Sequence, residues 1–297
     1  MSGKQFFIDR YAQLGWSYRE TKPRQALRIN LSVTNQKPLL ERLKDNGVLL
    51  NKVPFLDSGY WVSRSRVSVG ATAEYLLGLY SIQEAAAQIP ATVFSELNGK
   101  RVLDACAAPG GKTVQLADLM KDTGVIAALD IDRRRLSALS NHLERCHVRN
   151  TMVYCHDARK ARRLKMQFDR ILLDVPCSGN FAADKEWFAR RTLRDVERNA
   201  EIQREILSEA EMCLKEDGEI VYSTCSLEPE EDELNMDWAI KSLNLEIEEA
   251  NCAGGNGLTE VFGRKLGISL AHCRRIWPGD TQGFFVCKLK KRRNSSD

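Results

Sequence analysis

From about residue 98 onward, the chain alternates apolar segments with amphipathic ones. The apolar segments read KRVLDACA, VIAALDID, TMVYCHDA, FDRILLDVP and, after a predicted turn at KEDG, EIVYSTCS. The amphipathic segments have helical periodicity and include KTVQLADLMKDTG, RRRLSALSNHLERC and a long stretch from Thr192 to Leu214. Strands that alternate with helices are joined by right-handed crossovers, so the pattern predicts an α/β fold whose Rossmann-like parallel sheet is covered by helices on both faces.

The two ends of the chain depart from this alternation. Near the C terminus, CRRIWPG and GFFVCKLK predict two strands joined by a short loop, and therefore a terminal antiparallel hairpin on the sheet. Near the N terminus, ALRINLSV, KPLLERLKDNG, VLLNKVPF and GYWVSR predict a strand, a helix closed by glycine, and two further strands. We therefore expect a small α+β domain over residues 1–68 and the Rossmann-like domain over residues 69–297.

Composition excludes several classes of protein. Hydrophobic residues make up 43% of the chain, which is too many for a disordered protein. No apolar run approaches the roughly 20 residues that cross a bilayer, and the first residues lack a signal-peptide core, so we expect a cytoplasmic protein without a membrane partner. The nine cysteines include no Cys-x-x-Cys pair, so we expect neither a metal site nor a disulfide framework.

Positive charge is unevenly distributed, although the net charge is only +4. The basic clusters are Arg133–Arg135, Arg159–Arg163, Arg190–Arg191 and Lys288–Arg293. An acidic run occupies Glu228–Glu233. Clustered positive charge fits a surface that faces nucleic acid, but a solvated helix face explains each cluster equally well.

A glycine-containing loop, DACAAPGGKT, follows the first strand of the predicted sheet. A phosphate-binding loop would need glycine in place of Cys106, and the dinucleotide-binding spacing of glycines is also missing. Gly110 and Gly111 nevertheless allow a ligand to approach the backbone closely, and the helix that follows starts with unpaired amides. The loop is therefore a candidate ligand-binding loop of another kind.

Acidic residues end the next two strands. Asp130 lies about 20 residues beyond the glycines, where an acid accepts hydrogen bonds from a ribose diol. Asp132 is an equal candidate for that role, and Asp157 is placed to reach an adenine amino group. Each acid could instead cap a helix, but together they favour a nucleoside ligand at the carboxyl edge of the sheet. A Rossmann-like sheet with a terminal hairpin is, by fold analogy, usual for methyl transfer from S-adenosylmethionine.

Two cysteines follow apolar strands, in LLDVPCSGN and YSTCSLEP, and the first strand also ends in Asp174. Cytosine carbon 5 is a poor nucleophile until a thiolate adds to carbon 6. A carboxylic acid near N3 assists that addition, and a base later removes the carbon-5 proton. These residue types fit such chemistry, but the residues alone leave open whether Cys177 or Cys225 is the nucleophile.

The motifs DACAAPGGKT, ALDID, LLDVPCSGN and YSTCSLEPEEDE resemble those of RNA cytosine-5 methyltransferases of the Nol/Nop/Sun type. EYLLGLYSIQEAAAQIP and RRIWPGDTQGFFVCKLK extend the likeness over roughly residues 68–290. Val175 departs from the alanine that is common in this family. The resemblance implies an S-adenosylmethionine-dependent enzyme that acts on RNA, with residues 1–68 as an RNA-binding module.

The resemblance also implies a role for each motif residue. Cys225 would be the nucleophile, Cys177 would assist product release, and Asp174 would contact the cytosine near the transferred methyl group. Asp130 would bind the ribose and Asp157 would lie near the adenine. The methionine part of the cofactor would be wrapped by Cys106, Ala107, Ala108, Pro109, Gly110, Gly111 and Lys112.

Several alternatives accompany this interpretation. The short chain favours transfer RNA as the substrate, with ribosomal RNA as the alternative, and a monomer is the default expectation. A DNA cytosine-5 methyltransferase would need a Glu-Asn-Val motif and a large inserted region, which the sequence lacks. A catalytically inactive RNA-binding assembly factor would be expected to lose a thiol, the carboxylate or the glycine loop. The loop around Trp187 could be an active-site lid or a surface loop pinned by one aromatic ring.

Overall fold

The computed structural model describes residues 2–292, so Arg293, the end of the last basic cluster, lies outside the described residues. The α-helices are α1 (Lys4–Gln13), α2 (Gln36–Asp45), α3 (Ala73–Leu76), α4 (Ile89–Thr92), α5 (Gly111–Leu119), α6 (Arg133–Arg145), α7 (Trp187–Arg190), α8 (Leu193–Cys213) and α9 (Glu233–Ser242). Short 3₁₀ helices occupy Val69–Ala71, Ala86–Gln88, Ala158–Leu164 and Ile268–His272.

The strands form one small sheet, one large sheet and a short two-stranded ribbon. The strands of the small sheet are β1 (Ala26–Ile29), β2 (Val48–Lys52), β3 (Gly59–Ser65) and β4 (Tyr80–Ile82). The other strands are β5 (Arg101–Asp104), β6 (Val125–Asp130), β7 (Thr151–Cys155), β8 (Phe168–Asp174), β9 (Leu214–Thr224), β10 (Leu245–Glu248), β11 (Gly255–Asn256), β12 (Glu260–Val261), β13 (Arg264–Lys265), β14 (Arg274–Ile276) and β15 (Phe284–Lys291).

The large sheet confirms the predicted Rossmann-like fold. Its strand order is β11-β14-β15-β9-β8-β5-β6-β7, with β10 paired to β15. The strands from β9 to β7 in this order are parallel, while β15 is antiparallel to both β9 and β14. The chain runs from β5 to β6 on one side and returns to β8 on the other, so a crevice opens at the carboxyl ends of β5 and β8.

One predicted turn lies within a strand. The segment KEDG was expected to precede β9, but β9 begins at Leu214 and includes it. The pairing with β8 steps from Phe168–Leu214 to Arg170–Glu219, so the ladder absorbs the segment as an irregularity. Beyond this point, β8 and β9 stay in register up to Asp174 and Ser223.

The small sheet has the order β2-β3-β1-β4, and its three strand pairs are all antiparallel. The strands and helix predicted between residues 26 and 65 are present, and β4 is added from beyond residue 68, where the domain boundary was predicted. Helix α1, which was not predicted, packs against the loop after Cys177, with Phe7 4.6 Å from Trp187 between ring centroids. None of the helices within residues 2–292 has the length and apolar character needed for a bilayer crossing.

Candidate active site

The parallel pair β8 and β9 brings the two thiol-containing loops together. Asp174 and Ser223 are register partners at the carboxyl ends of these strands, and Ser223 Oγ donates to Asp174 Oδ1 at 2.9 Å. Because both strands are buried in the middle of the sheet, the loops that leave them start from fixed positions. Cys177 follows one strand by three residues and Cys225 follows the other directly.

Lys112 from α5 completes the environment of the Asp174 carboxylate. Its Nζ donates to Asp174 Oδ2 at 2.7 Å and lies 5.4 Å from the centroid of the Phe284 ring. Two donors therefore orient the carboxylate, while 31% of the Asp174 side chain remains exposed to a ligand. The sequence placed Lys112 only in the ligand-binding loop, whereas the structure also joins it to Asp174.

The two motif thiols are in direct contact. The Sγ atoms of Cys177 and Cys225 lie 3.2 Å apart, although the residues are far apart in sequence. The hydrogen bond with Cys225, together with burial, raises the pKa of the Cys177 thiol well above its ordinary value. Cys177 therefore keeps its proton at neutral pH, and its sulfur lies within hydrogen-bonding distance of the sulfur of Cys225.

Glu231, which the sequence revealed only as part of an acidic run, links the two thiol loops. Its carboxylate accepts from the backbone N–H of Ser178 at 2.9 Å and from the hydroxyls of Ser178 and Ser226, each at 2.5 Å. These serines directly follow Cys177 and Cys225. Burial raises the pKa of Glu231, while the serine hydrogen bonds act in the opposite direction.

Two amide side chains also hold these loops and were missed from the sequence. Asn180 Nδ2 donates to the carbonyl oxygens of Cys225, at 2.7 Å, and Gly283, at 3.3 Å. Gln203 Nε2 donates to the carbonyl of Pro176 at 2.9 Å and also contacts Glu231. Asn180 lies within the Pro-Cys motif, so its position offered a signal, but nothing local indicates that Gln203 points from α8 to this loop.

The acidic run is buried for most of its length. The side chains of Glu228, Glu231, Asp232 and Glu233 are inaccessible to solvent. Arg275 from β14 pairs with Asp232 at 2.9 Å and with Glu233 through its Nε at 2.8 Å. The ion pairs with Arg275 therefore fix the position of the segment that follows Cys225.

A second arginine, Arg10 of α1, also binds the acidic run. Its Nε donates to Glu228 at 3.0 Å and its Nη2 lies 2.6 Å from Glu230. Burial raises the pKa of Glu228 to about 7, and the nearby Arg10 only partly offsets that effect. Helix α1 therefore belongs to the structural surroundings of the thiols, a contact across 218 residues of sequence that no local pattern predicts.

The ligand-binding loop forms a tight turn between β5 and α5. The peptide bond between Ala108 and Pro109 is cis, and Gly110 has φ of +104°, a conformation that favours glycine. A Cβ on Gly110 would lie 2.9 Å from Leu139. No side chain caps α5, so the first amides of the helix stay available to a ligand.

Asp104 lies buried beneath this loop. Its Oδ2 accepts from Thr113 Oγ1 at 2.8 Å, whereas Oδ1 has no partner among the described residues. Burial raises the pKa of Asp104 to about 7. Burial also raises the pKa of Cys106, the thiol within the loop.

The three strand-end acids have different surroundings. Asp130 is buried, accepts from the amides of Ala108 at 3.3 Å and Asp132 at 2.9 Å, and pairs with Arg135 at 3.2 Å. Asp132 caps α6 through the amide of Arg134. Only Asp130 thus contacts the glycine-containing loop, while Asp132 has the capping role that was its alternative interpretation.

Asp157 also caps a helix, the 3₁₀ segment that begins at Ala158. It pairs with Arg159 at 2.8 Å, and the Arg159 hydrogen bonds outweigh burial and lower the pKa of the carboxyl group. Other members of the basic clusters are paired in the same way. Arg162 bonds Glu209 at 2.8 Å, and Lys288 pairs with Glu219 at 3.4 Å. The exposed Arg162 matches the solvated helix face that was the alternative explanation, whereas Lys288 is buried on β15.

Comparison with known proteins assigns the chain to a family. The family model described as 16S rRNA methyltransferase RsmB/F matches residues 91–290. The chain belongs to the RsmB/F family. A second model, the N-terminal domain of 16S rRNA methyltransferase RsmF, matches residues 3–85 of this RsmB/F protein.

A solved structure and two curated relatives extend the comparison. The structure of a methyltransferase homolog protein from Pyrococcus horikoshii is 35% identical, covers 97% of this RsmB/F chain and 95% of its own, and superposes with a TM-score of 0.88. A 28S rRNA (cytosine-C(5))-methyltransferase from Mus musculus is 37% identical over 91% of this chain and 35% of its own length. Ribosomal RNA small subunit methyltransferase F from Aeromonas hydrophila is 34% identical over 90% of this chain and 58% of its own. The chain thus spans between about a third and three fifths of these two curated relatives.

Proposed function

We propose that this chain methylates carbon 5 of cytosine in RNA, with S-adenosylmethionine as the methyl donor and Cys225 as the covalent nucleophile. The contact between Cys177 and Cys225, 3.2 Å between sulfurs, carries the proposal. Two cysteines that only filled the core would need no exposed carboxylate beside them. Asp174, however, ends the strand that precedes Cys177, is partly exposed, and is paired with Lys112. The name of the Mus musculus relative refers to cytosine carbon 5 and supports the same chemistry.

The residues around the ligand-binding loop fit the cofactor. The uncapped start of α5 provides amide donors, and the buried Asp104 has an oxygen without a partner among the described residues. We propose that residues 106–112 surround the methionine part, that Asp130 binds the ribose and that Asp157 lies near the adenine. When bound, S-adenosylmethionine supplies an electrophilic methyl group.

The chain's own groups would then act in a fixed order. The Cys225 thiolate forms a bond to carbon 6, and N3 takes up a proton from the hydrogen-bonded pair of Asp174 and Lys112. Carbon 5 thereby becomes nucleophilic and gains the methyl group. Loss of the carbon-5 proton to a base re-forms the ring double bond, breaks the bond from carbon 6 to sulfur and returns the N3 proton. We assign Cys177 to this release step because its sulfur touches the departing one.

Both RNA classes are candidate substrates. The printed names of the curated relatives refer to 28S and small-subunit ribosomal RNA, which favours ribosomal RNA. Transfer RNA, the substrate expected from the sequence, is the alternative. In either case, an unpaired cytosine costs less to extrude, by about a few kcal/mol, than a stacked and paired one.

The test uses the wild type, Cys225→Ala, Cys177→Ala and, as a matched control, Cys155→Ala, whose thiol is exposed and outside both motifs. Each protein is incubated with S-adenosylmethionine and with transcribed transfer RNA or ribosomal RNA fragments. The readouts are 5-methylcytosine by mass spectrometry and a covalent protein–RNA band on a denaturing gel.

We expect Cys225→Ala to give neither product nor band, Cys177→Ala to accumulate the band, and Cys155→Ala to match the wild type. The reverse pattern for the two motif cysteines would make Cys177 the nucleophile. Absence of 5-methylcytosine with every RNA tested would refute the proposed activity.

A further inference from the structure

A second cleft lies beside the thiols, on the outer side of the loop that follows Cys177. It has a volume of about 700 Å³, within the range of ligand sites. One wall comes from the N-terminal segment and the other from the loop and helix α7. The lining includes Lys4, Tyr18, Lys22, Phe181, Lys185 and Phe188.

Aromatic rings form the inner wall of this cleft. Phe181 and Phe188 stack with 5.1 Å between ring centroids and 13° between planes, and Tyr18 packs against both, at 5.1 and 5.9 Å. Tyr18 and Phe188 are only half-buried. Trp187 holds the loop from behind, since it is buried and its Nε1 donates to the carbonyl of Ser178 at 2.8 Å. Trp187 thus holds the loop in place, as expected for a surface loop fixed by one aromatic ring rather than for an active-site lid.

Free positive charge surrounds the aromatic wall. Lys4, Lys22 and Lys185 are exposed, and no carboxylate within residues 2–292 forms an ion pair with any of them; Glu20 is the acid in the lining. Lys4 Nζ lies 4.9 Å from the centroid of the Tyr18 ring and 6.0 Å from that of Phe188, so this positive charge sits directly beside the aromatic wall. By contrast, Arg190 at the end of α7 pairs with Glu186.

Thr21 also lies in the lining of the cleft, but its Oγ1 is buried and makes no hydrogen bond with the described residues. The groups that a ligand can reach are therefore the aromatic rings and the exposed lysines, which match the base and the phosphate of a nucleotide.

The position of the cleft relates it to the thiols. Phe181 follows Cys177 by four residues, and an extended chain of that length spans at most about 14 Å. The intervening Asn180 donates to the Cys225 carbonyl, so the loop that lines the cleft contains Cys177 and is hydrogen-bonded to the loop of Cys225. A nucleotide bound in this cleft would therefore be near, along the RNA chain, to the nucleotide whose base lies at the thiols.

We propose that this cleft binds an unpaired RNA nucleotide next to the target cytosine, with its base against Tyr18 and Phe188 and its phosphate near the lysines. The inference rests on the proposed function. Extrusion of a base breaks the stacking of its neighbours, and aromatic side chains commonly replace that stacking in single-stranded RNA. The lysines supply the charge that a phosphate requires.

The test measures binding of a short fluorescein-labelled oligouridine and of a fully paired RNA hairpin by anisotropy. The variants are Tyr18→Leu and Phe188→Leu, which retain apolar volume, with Phe55→Leu as the control for an exposed aromatic ring elsewhere. We expect each cleft variant to weaken oligouridine binding about 5- to 100-fold and the control to leave it unchanged. Binding of the paired hairpin should change by less than about twofold.

Rim variants provide a measurement that does not depend on core packing. Lys22→Gln and Lys185→Gln should each reduce the slope of log affinity against log salt by about 0.7, whereas Lys37→Gln on α2 should not. Oligouridine affinity equal to wild type in all four cleft and rim variants would refute the inference, as would equal losses in the controls. Because binding needs no catalysis, wild-type protein that binds oligouridine through the cleft but forms no 5-methylcytosine would refute only the proposed function.

Discussion

Ser178 and Ser226, each the residue after a motif cysteine, lie with their Oγ atoms 3.2 Å apart and donate to the same oxygen of Glu231. The two loops that contain the thiols are thus joined by one buried carboxylate. A second link runs from Asn180 to the Cys225 carbonyl. The spacing between the sulfurs is therefore set by side chains that are buried from solvent.

Replacement of this carboxylate should disturb chemistry more than RNA binding. In Glu231→Gln, the side-chain nitrogen is a donor and cannot accept a hydrogen bond. The hydrogen bonds from Ser178 or Ser226 to the oxygen that it replaces would therefore be lost. We expect kcat to fall at least about tenfold, since small displacements of reacting groups are costly, while KM for RNA stays within about threefold. Single-turnover rates and RNA affinity would measure this, with the exposed Glu216→Gln as the control. A kcat equal to wild type would contradict the positioning role.

The ion pair between Lys112 and Asp174 should act as a unit. Lys112→Met removes one of the two donors to the carboxylate, and Asp174→Asn removes the carboxylate itself. We expect each variant to lower kcat by about 10²–10⁴ and the double variant to be little worse than either single one. A double-mutant cycle on single-turnover rates would measure the coupling, with melting curves to check the fold. Fully additive losses would show that the two groups act independently.

The sequence predicted those parts of the site that follow strands, because strand and motif share a local pattern. Asp174, Cys177 and Cys225 each lie at or just beyond an apolar strand of the large sheet, and parallel pairing brings those ends together. The glycine-containing loop was predicted for the same reason. What the sequence left open was which strand-end acids contact that loop: Asp130 does, through the amide of Ala108, while Asp132 caps α6.

The parts that were missed depend on distant or atypical contacts. Helix α9 was not predicted, because its buried residues include the polar Glu233, Asn235 and Asp237 as well as Met236 and Ala239, so burial does not follow hydrophobicity along it. Arg10 and Gln203 reach the thiol loops from α1 and α8 across long stretches of chain. The basic clusters could not be distinguished from ion-paired surface because their partners, such as Glu209, lie in other elements.

The contact between Arg10 and Glu228 should contribute to stability. Arg10→Met leaves a buried acid without its partner, and we expect the free energy of unfolding to fall by about 2–4 kcal/mol. Arg24→Met is the matched control, because Arg24 pairs at 3.9 Å with an Asp280 side chain that is 68% exposed. That control should change stability by less than about 1 kcal/mol. Urea denaturation would measure both, and equal effects would contradict the assignment of Arg10 as a buried anchor.

The raised pKa of Glu228 predicts how stability depends on pH. Burial moves this pKa from 4.5 to about 7, so between these values the folded protein keeps a proton that the unfolded chain has released. Its contribution to stability is therefore fully present below pH 4.5 and is lost as pH rises through about 7. The Glu228→Gln side chain cannot ionise. The free energy of unfolding of this variant should therefore rise relative to that of the wild type as pH rises, by up to about 3 kcal/mol.

Urea denaturation at several pH values between about 5 and 8 would measure this difference. The control is Glu219→Gln, because hydrogen bonds from Ser95 outweigh burial and hold the pKa of Glu219 below its ordinary value. Its difference from the wild type should stay flat over the same pH range, since any loss of that contribution occurs at lower pH. A Glu228→Gln difference that is flat, or that falls as pH rises through 7, would show that Glu228 is already ionised in the folded protein and that Arg10 prevails over burial.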